Sequence, residues 1–273
     1  MSKKKAFTLA EILMVLGLLG VIAVITIPYL LMEFNKDKWS VTYKRTFAET
    51  FNVLGNIALE NDCVKSLTCT HIFDEGPVIS TKNFGNAMVR NMAVAQNCAT
   101  SSGTCFSHKV KTGLAGSREE DLYETMNDKI TFDKALFQND GKGFYTFRTT
   151  RGVSYAVYSF GTQCLNLSEN DPVRQAYINA YVTGGVAHAD SESQMLSLCG
   201  FIIVDVNGDQ RPNIWGRDVF GMWVTDKSVL GVYPFGGDQD GAFGGKCFYA
   251  TQTEQDTRGC AAQLIKDGWK MKY

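Results

Sequence analysis

Apolar and polar residues are arranged differently in three parts of the chain, and the first part is almost entirely apolar. Apolar residues run nearly without a break from Phe7 to Leu31, and Glu11 is the charged residue within this run. A helix over this range would be about 37 Å long, which exceeds the ~30 Å hydrocarbon core of a bilayer. Lys3, Lys4 and Lys5 precede the run. The pattern therefore predicts a transmembrane helix over residues 7–31, with a cytoplasmic N-terminus and the rest of the chain across the membrane.

The second part, residues 32–62, has the periodicity of an amphipathic helix. Between Glu33 and Asp62 there is no Pro and a single Gly, Gly55. Apolar residues recur at spacings of three and four, which places them on one helix face. These residues are Trp39, Tyr43, Phe47, Phe51, Leu54 and Ala58. We expect the membrane helix to continue through this part, with its apolar face packed against a globular head.

The third part, residues 63–273, is long enough for one sizeable domain and is predicted to consist mainly of strands. Residues 83–96 and part of residues 119–137 are predicted to be helical. Runs of β-branched and aromatic residues predict strands, and these lie near residues 143–150, 152–160, 201–206, 220–224 and 228–234, with Arg151 and Gly152 in a hairpin turn. The predicted fold class is α+β, with a long N-terminal α-helix packed against an antiparallel β-sheet head.

Composition and charge narrow the range of functions. Lys and Arg number 27 and Asp and Glu number 28, which gives a formal net charge of -1. No basic patch or nucleic-acid-binding motif stands out, so nucleic acid is not an expected partner. No nucleophile–base pair and no paired-carboxylate motif is recognisable, so we do not expect an enzyme.

Glu11 helps to decide between the possible roles of the N-terminal segment, such as a cleaved signal peptide or a membrane anchor. A charge inside a membrane span is costly, and such residues are usually functional. A cleaved secretory signal peptide has an apolar core of about 7–15 residues followed by a small-x-small site, whereas this run is longer and no Ala-x-Ala follows it. A plain single-pass anchor would account for Glu11 only as half of a capping box with Thr8 at the helix start.

A third role rests on a resemblance to a known family. The lysines and Ala6, followed by Phe7-Thr8-Leu9-Ala10-Glu11, resemble the cleavage and methylation motif of type IV pilins and type II secretion pseudopilins. The resemblance implies that the leader, residues 1–6, is removed before Phe7 and that the new amine is methylated. Counted from Phe7, Glu11 takes the place of the family's Glu and Pro28 that of its Pro. Ala6 stands where the family usually has Gly.

The resemblance implies a structural function. The protein would be a subunit of a type IV pilus-like or type II secretion pseudopilus filament, and Glu11 of an incoming subunit would neutralise the N-terminal amine of a neighbour. Its partners would be a prepilin peptidase/methyltransferase, other pilin or pseudopilin subunits, an inner-membrane assembly platform and the lipid bilayer. The implied location is the bacterial inner membrane, with the head periplasmic or extracellular. The alternative is a monomeric, membrane-anchored extracytoplasmic binding domain that keeps residues 1–6, with calcium as a candidate ligand.

The eight cysteines all lie beyond the apolar run. An even number in an exported domain predicts disulfides, although eight cysteines allow 105 pairings. Pairing between neighbours along the chain is the arrangement we predict: Cys63–Cys69, Cys98–Cys105, Cys164–Cys199 and Cys247–Cys260.

One loop is rich in Asp and Asn. Asp205, Asn207 and Asp209 occupy alternate positions and Asp218 follows, so these four residues are candidate ligands for calcium, which prefers oxygen. The twelfth position, where a calcium loop has a bidentate acid, is Gly216. The same pattern is also typical of an Asx turn, in which Asp and Asn side chains accept bonds from nearby amides. Both interpretations are open from the sequence.

Overall fold

The structure is a computed structural model that describes the main helix and sheet framework. The described residues are 8–63, 66–100, 105–107, 109–112, 118–121, 144–161, 164–166, 197–208, 210–226, 232–235, 247 and 259–273. The chain divides into two compact units, Met1–Lys38 and Trp39–Tyr273. The second unit therefore includes most of the amphipathic stretch that the sequence analysis treats as a segment of its own, residues 32–62.

Helices and antiparallel strands together make up the described framework. The helices are α1 (Leu9–Glu60), α2 (Pro77–Arg90) and α3 (Cys260–Lys266), with a 3-10 turn at Thr68–Thr70. The strands are β1 (Val94–Ala99), β2 (Lys109–Thr112), β3 (Arg118–Asp121), β4 (Tyr145–Thr149), β5 (Ser154–Ser159), β6 (Leu165–Asn166), β7 (Ser197–Asp205), β8 (Val219–Thr225) and β9 (Val232–Pro234). A long N-terminal helix with an antiparallel sheet confirms the α+β class.

One antiparallel sheet lies at the centre of the second unit. Its strands follow the order β1-β4-β5-β7-β8-β9, and β6 pairs with the beginning of β7. The β4–β5 hairpin is confirmed, with Phe147 opposite Tyr155 and Gly152 at a positive φ of 82° in the turn. β7 and β8 confirm two further predicted strands, and β9 confirms the end of the segment predicted over 228–234. Residues 227–231 lie outside the described part of the chain.

The C-terminal part of α1 packs on one face of this sheet. The Tyr43 ring stacks on Phe220 of β8 with ring centroids 4.2 Å apart, and the Tyr43 hydroxyl donates to the Gly221 carbonyl oxygen at 3.5 Å. Farther along the helix, Glu49 forms an ion pair with Arg151 in the β4–β5 turn. Aromatic stacking and polar pairs thus fix the position of α1 on the sheet.

The buried face of α1 is rotated from the one that the aromatic spacing predicts. Thr46 and Thr50 are buried, whereas Phe47 and Phe51 are only half-buried. Dense packing favours small side chains, such as those of Thr46 and Thr50, where a helix and a sheet approach most closely. The buried Thr50 hydroxyl donates a hydrogen bond to the Thr46 carbonyl oxygen at 2.8 Å, which offsets the cost of removing it from water.

The opposite face of the sheet carries a cluster of buried aromatic rings. Phe201 of β7 stacks on Tyr158 with centroids 5.2 Å apart and meets Trp223 edge-on at 5.9 Å. Trp223 in turn lies 4.4 Å from the Phe235 ring. A Cβ at Gly221 would collide with Phe235, so this glycine lets the cluster close against the sheet.

Disulfides link neighbouring cysteines in the second unit. The pairs are Cys63–Cys69, Cys98–Cys105, Cys164–Cys199 and Cys247–Cys260, which are the four pairs that the sequence analysis predicts. In the chain-entropy view a disulfide restricts the unfolded chain, and each contributes roughly 2–4 kcal/mol.

One helix prediction is wrong in part. The predicted helix over residues 83–96 ends at Arg90, and Val94–Ala99 forms strand β1 instead. A short apolar run fits either period, and pairing of β1 with β4 decides the outcome. Part of residues 119–137 is predicted to be helical, and within this range residues 119–121 belong to strand β3, Arg118–Asp121, which pairs with β2. Residues 122–137 lie outside the described part.

We predict that Tyr43→Ala destabilises the head strongly. Removing a fully buried aromatic ring costs about 3–5 kcal/mol, because the contact with Phe220 is lost and a cavity is left. The free energy of unfolding, measured by chemical denaturation of the full chain in detergent, tests this. Val41→Ala is the matched control, since Val41 is two residues away and 67% exposed. Equal losses in the two variants would contradict the packing described.

Candidate functional site: the exposed helix and the Asp205–Phe220 loop

The first unit exposes a continuous apolar surface. Between Leu9 and Leu31 the exposed fraction of the large aliphatic side chains ranges from 45% at Ile12 to 79% at Leu9. This helix is long and apolar enough to cross a membrane. Apolar surfaces of this extent mark membrane or protein contacts. The length, composition and exposure of this helix thus support the predicted membrane span.

Glu11 lies in a capping box at the start of this helix. The backbone N–H and the hydroxyl of Thr8 both donate to Glu11 Oε2 at 2.8 Å, and the Glu11 N–H donates to the Thr8 hydroxyl at 3.3 Å. The Thr8 hydroxyl and the Glu11 carboxylate therefore each accept from one amide that a helix N-terminus leaves without an internal partner. The predicted processing residues, Ala6 and Phe7, lie outside the described part.

Pro28 lies inside α1 without ending it. The helix continues from Leu9 to Glu60 through this position. Proline has no N–H, so the Val24 carbonyl oxygen lacks its helical donor. Half a turn earlier, the Thr26 hydroxyl donates to the Ile22 carbonyl oxygen at 2.9 Å. The turn before Pro28 is therefore held by fewer backbone bonds than the rest of the helix.

The second feature, the Asp205–Phe220 loop, is closed by the Asp218 carboxylate. Asp218 Oδ1 accepts from the Ile214 N–H at 2.6 Å. Its Oδ2 accepts from the Asn213 N–H at 2.8 Å and from the Asn207 side-chain amide at 3.1 Å. One buried carboxylate thus binds donors from both arms of the loop between β7 and β8.

The Asp205 carboxylate closes the loop on its other side. Its Oδ1 accepts from the Asn207 N–H at 3.2 Å. With the Asn213 amide oriented toward the carboxylate, the Asn213 side chain donates to Asp205 Oδ2 at 3.1 Å. The structure therefore brings together three of the four predicted calcium ligands, Asp205, Asn207 and Asp218, while Asp209 lies outside the described residues.

The bonds in the loop are those of the Asx-turn interpretation. Amides of the loop itself occupy both oxygens of Asp218. Among the residues that the structure describes, no three His, Cys, Asp or Glu side chains are grouped to hold a metal. Calcium binding stays a prediction, and the loop geometry is accounted for by hydrogen bonds alone.

Burial controls the protonation of Asp218. Loss of water around its carboxyl raises the pKa from 3.8 to about 6, although the N–H bonds from Ile214 and Asn213 and the Asn207 amide pull the other way. The ionised form is therefore less favourable in the folded protein than in the unfolded chain.

The contact segment at residues 269–273 was not predicted from the sequence. Trp269 packs against Tyr43 and Phe47 of α1, with centroids 6.0 and 5.9 Å away, and the Ser40 hydroxyl donates to the Trp269 carbonyl oxygen. Met271 and Tyr273 are buried, whereas Lys270 and Lys272 are exposed. The alternation of apolar residues and lysines was the available signal.

Chemically, the described arrangement offers contact surfaces. These are an exposed apolar helix that begins with a hydrogen-bonded carboxylate, and a head held by disulfides and by the hydrogen-bonded Asp205–Phe220 loop. No family model, no curated protein and no solved structure matches this chain.

We predict that Asp218→Asn lowers stability and changes its pH dependence. The new NH2 group would face an N–H donor, which costs about 1–3 kcal/mol. Because folding raises the pKa of Asp218, its contribution to the free energy of unfolding is largest below pH 3.8 and declines as pH rises to about 6. The difference between wild type and variant should shrink across that range.

Chemical denaturation at several pH values measures this difference. Asp62→Asn is the control, since Asp62 is an exposed carboxylate at the end of α1. A difference that grows with pH between 4 and 6 would contradict the assignment.

Proposed function

We propose that this protein is a structural subunit of a filament, either type IV pilus-like or a type II secretion pseudopilus. The observation that carries the proposal is a helix with exposed apolar side chains over a membrane-spanning length and one carboxylate, Glu11, near its start. The resemblance of residues 3–11 and of Pro28 to the pilin motif supports it. The precursor would be held in the bacterial inner membrane with its N-terminus in the cytoplasm.

The exposed helix suits two environments in turn. Its apolar side chains must be covered by something other than water. Lipid covers them while the subunit is in the membrane, and helices of neighbouring subunits would cover them in the filament. The same surface thus serves for storage in the bilayer and for assembly.

Glu11 would make assembly favourable. A carboxylate buried without a partner is costly, whereas one paired with a cation is tolerated. Cleavage before Phe7 would create a cationic amine, and the amine of a neighbouring subunit is a suitable partner. Until that partner arrives, the Thr8 donors hold the Glu11 carboxylate at the start of its own helix.

The head would form the outside of the filament and would not be catalytic. The Asp205 and Asp218 carboxylates accept hydrogen bonds from amides of their own loop. The Asp226 carboxylate accepts from Ser66 and Thr68 at 2.7–2.9 Å. The protein would instead be the substrate of a prepilin peptidase/methyltransferase and the cargo of an inner-membrane assembly platform.

We predict that the mature chain begins at an N-methylated Phe7. Intact mass and N-terminal peptide mass spectrometry of protein from its native membrane measure this. A chain that keeps Lys3, Lys4 and Lys5 beside an active peptidase would contradict the proposal. It would point instead to an anchored monomeric binding domain, with Ala6 as the reason that cleavage fails.

We also predict that Glu11→Ala blocks incorporation into filaments while the protein still accumulates in the membrane. The variant removes the carboxylate but leaves the apolar helix intact. Sheared filaments and membranes are separated, and the subunit is quantified in each. Glu33→Ala is the matched control, because Glu33 lies on the same helix beyond the apolar run and pairs with Lys36 at 2.9 Å. Normal incorporation of Glu11→Ala would refute the role given to this carboxylate.

A further inference from the structure

Asn207 and Gly208, in the turn that follows β7, form the single Asn–Gly pair in the chain. Asparagine is a chemically labile residue in proteins. A glycine after it makes it more labile, because glycine has no side chain that would hinder attack by its own amide nitrogen. The Asp205–Phe220 loop therefore contains a pair of residues with a reactivity of its own.

The reaction open to this pair is succinimide formation followed by hydrolysis. The Gly208 amide nitrogen loses its proton to hydroxide and attacks the side-chain carbonyl carbon of Asn207. A carbon–nitrogen bond forms, and the bond from that carbon to Nδ2 breaks. The Nδ2 group takes up a proton from water and leaves as ammonia. A second water molecule opens the ring to aspartate or isoaspartate, and nothing is oxidised or reduced.

The loop geometry depends on both residues of the pair. Gly208 has a positive φ of 80°, and a Cβ at this position would lie 2.9 Å from the Gly152 carbonyl oxygen. The Asn207 side-chain amide donates to Asp218 Oδ2 at 3.1 Å. An aspartate at position 207 would instead place a second carboxylate against that oxygen, and like charges at this distance repel. Packing and charge thus favour a labile pair at these two positions.

Hydrogen bonds of the folded turn engage the attacking nitrogen. The Gly208 N–H donates to the Asp205 carbonyl oxygen at 3.3 Å, and the Asn207 N–H donates to Asp205 Oδ1 at 3.2 Å. Attack requires the Gly208 nitrogen to lose its proton and with it the first of these bonds. Gly208 is also buried, so hydroxide reaches its amide when the turn opens.

The Asp218 carboxylate opposes the departure of ammonia. The leaving nitrogen has to gain a proton, whereas in the folded loop the Asn207 Nδ2 donates to a carboxylate oxygen. Asp218 is fully buried and is held by the N–H groups of Ile214 and Asn213. With a pKa of about 6, its carboxyl is ionised above neutral pH. Asp218 therefore anchors the Asn207 side chain in an unreactive arrangement.

We propose that Asn207 is a deamidation site that the folded loop keeps unreactive and that opening of the loop exposes. The reaction converts the Asn207 amide into a carboxylate that faces Asp218, and isoaspartate also lengthens the backbone between β7 and β8. Both changes oppose reclosure, so deamidation marks chains whose loop has opened. This inference goes beyond the proposed function and does not depend on membrane insertion or on filament assembly.

The test compares the deamidation of Asn207 in the folded and the unfolded full chain. Protein in detergent is incubated at mildly alkaline pH, with and without a high concentration of urea. Peptide mass spectrometry with fragmentation quantifies aspartate and isoaspartate at position 207. We expect the reaction to be at least about tenfold slower in the folded chain, the factor that corresponds to ~1.4 kcal/mol for opening the loop. Equal rates would overturn the proposal, and so would an unreactive Asn207 in urea.

Two matched variants separate opening of the loop from a general loss of stability. Asp218→Ala removes a buried carboxylate immediately before β8, and Asp226→Ala removes one immediately after it. We expect the rate at Asn207 in the folded chain to approach the rate in urea for Asp218→Ala, but not for Asp226→Ala. Equal acceleration by the two variants would contradict the role given to the loop.

Circular dichroism shows whether each variant is folded, and the wild-type comparison decides the outcome if Asp218→Ala is not. Gly208→Ala, measured in urea, tests the chemistry itself. Its methyl group hinders the attacking nitrogen, so deamidation of Asn207 should slow. An unchanged rate would exclude the succinimide route.

Discussion

One continuous helix, α1, exposes apolar side chains in its first part and buries one face in the head in its second part. The rest of the structure depends on this change along the helix. Up to Lys38, α1 exposes its apolar side chains, and from Trp39 onward it buries one face in the head. A helix that is apolar all round must be buried in protein or in a membrane, whereas an amphipathic helix buries only one face against the core, which here includes the sheet. The change between these two patterns along a single helix separates the exposed apolar segment from the folded head.

Much of this arrangement could be predicted from the sequence, because it follows from the spacing of apolar residues and from the length of the apolar run. The apolar run, the amphipathic continuation and the β4–β5 hairpin are local patterns, and the structure has them where the sequence places them. The predicted helix over 83–96 failed at its C-terminal end because pairing with β4 is a long-range contact. The exact buried face of α1 was also not predicted. Thr46 and Thr50 are buried because small side chains allow close packing, and the hydrophobic pattern does not reveal this.

In the candidate sites too, features set by nearby residues could be predicted from the sequence, whereas contacts between distant residues could not. The capping box of Thr8 and Glu11 is visible as a spacing and is present in the structure. The Asp205–Phe220 loop was recognisable as rich in oxygen ligands, but only the fold shows that its own amides fill the Asp218 oxygens. The contact between Lys44 and the Trp269 ring could not be seen in the sequence, because the two residues are far apart along the chain.

We propose that other subunits cover the exposed part of α1 in an assembled filament. The most direct measurement introduces Leu16→Cys, at a side chain that is 59% exposed, and oxidises cells that carry the assembly machine. All eight native cysteines are in disulfides, so a new intermolecular bond reports the helix contact. We expect covalent dimers that disappear in a Glu11→Ala background. Monomers alone, from a processed and folded chain, would contradict it.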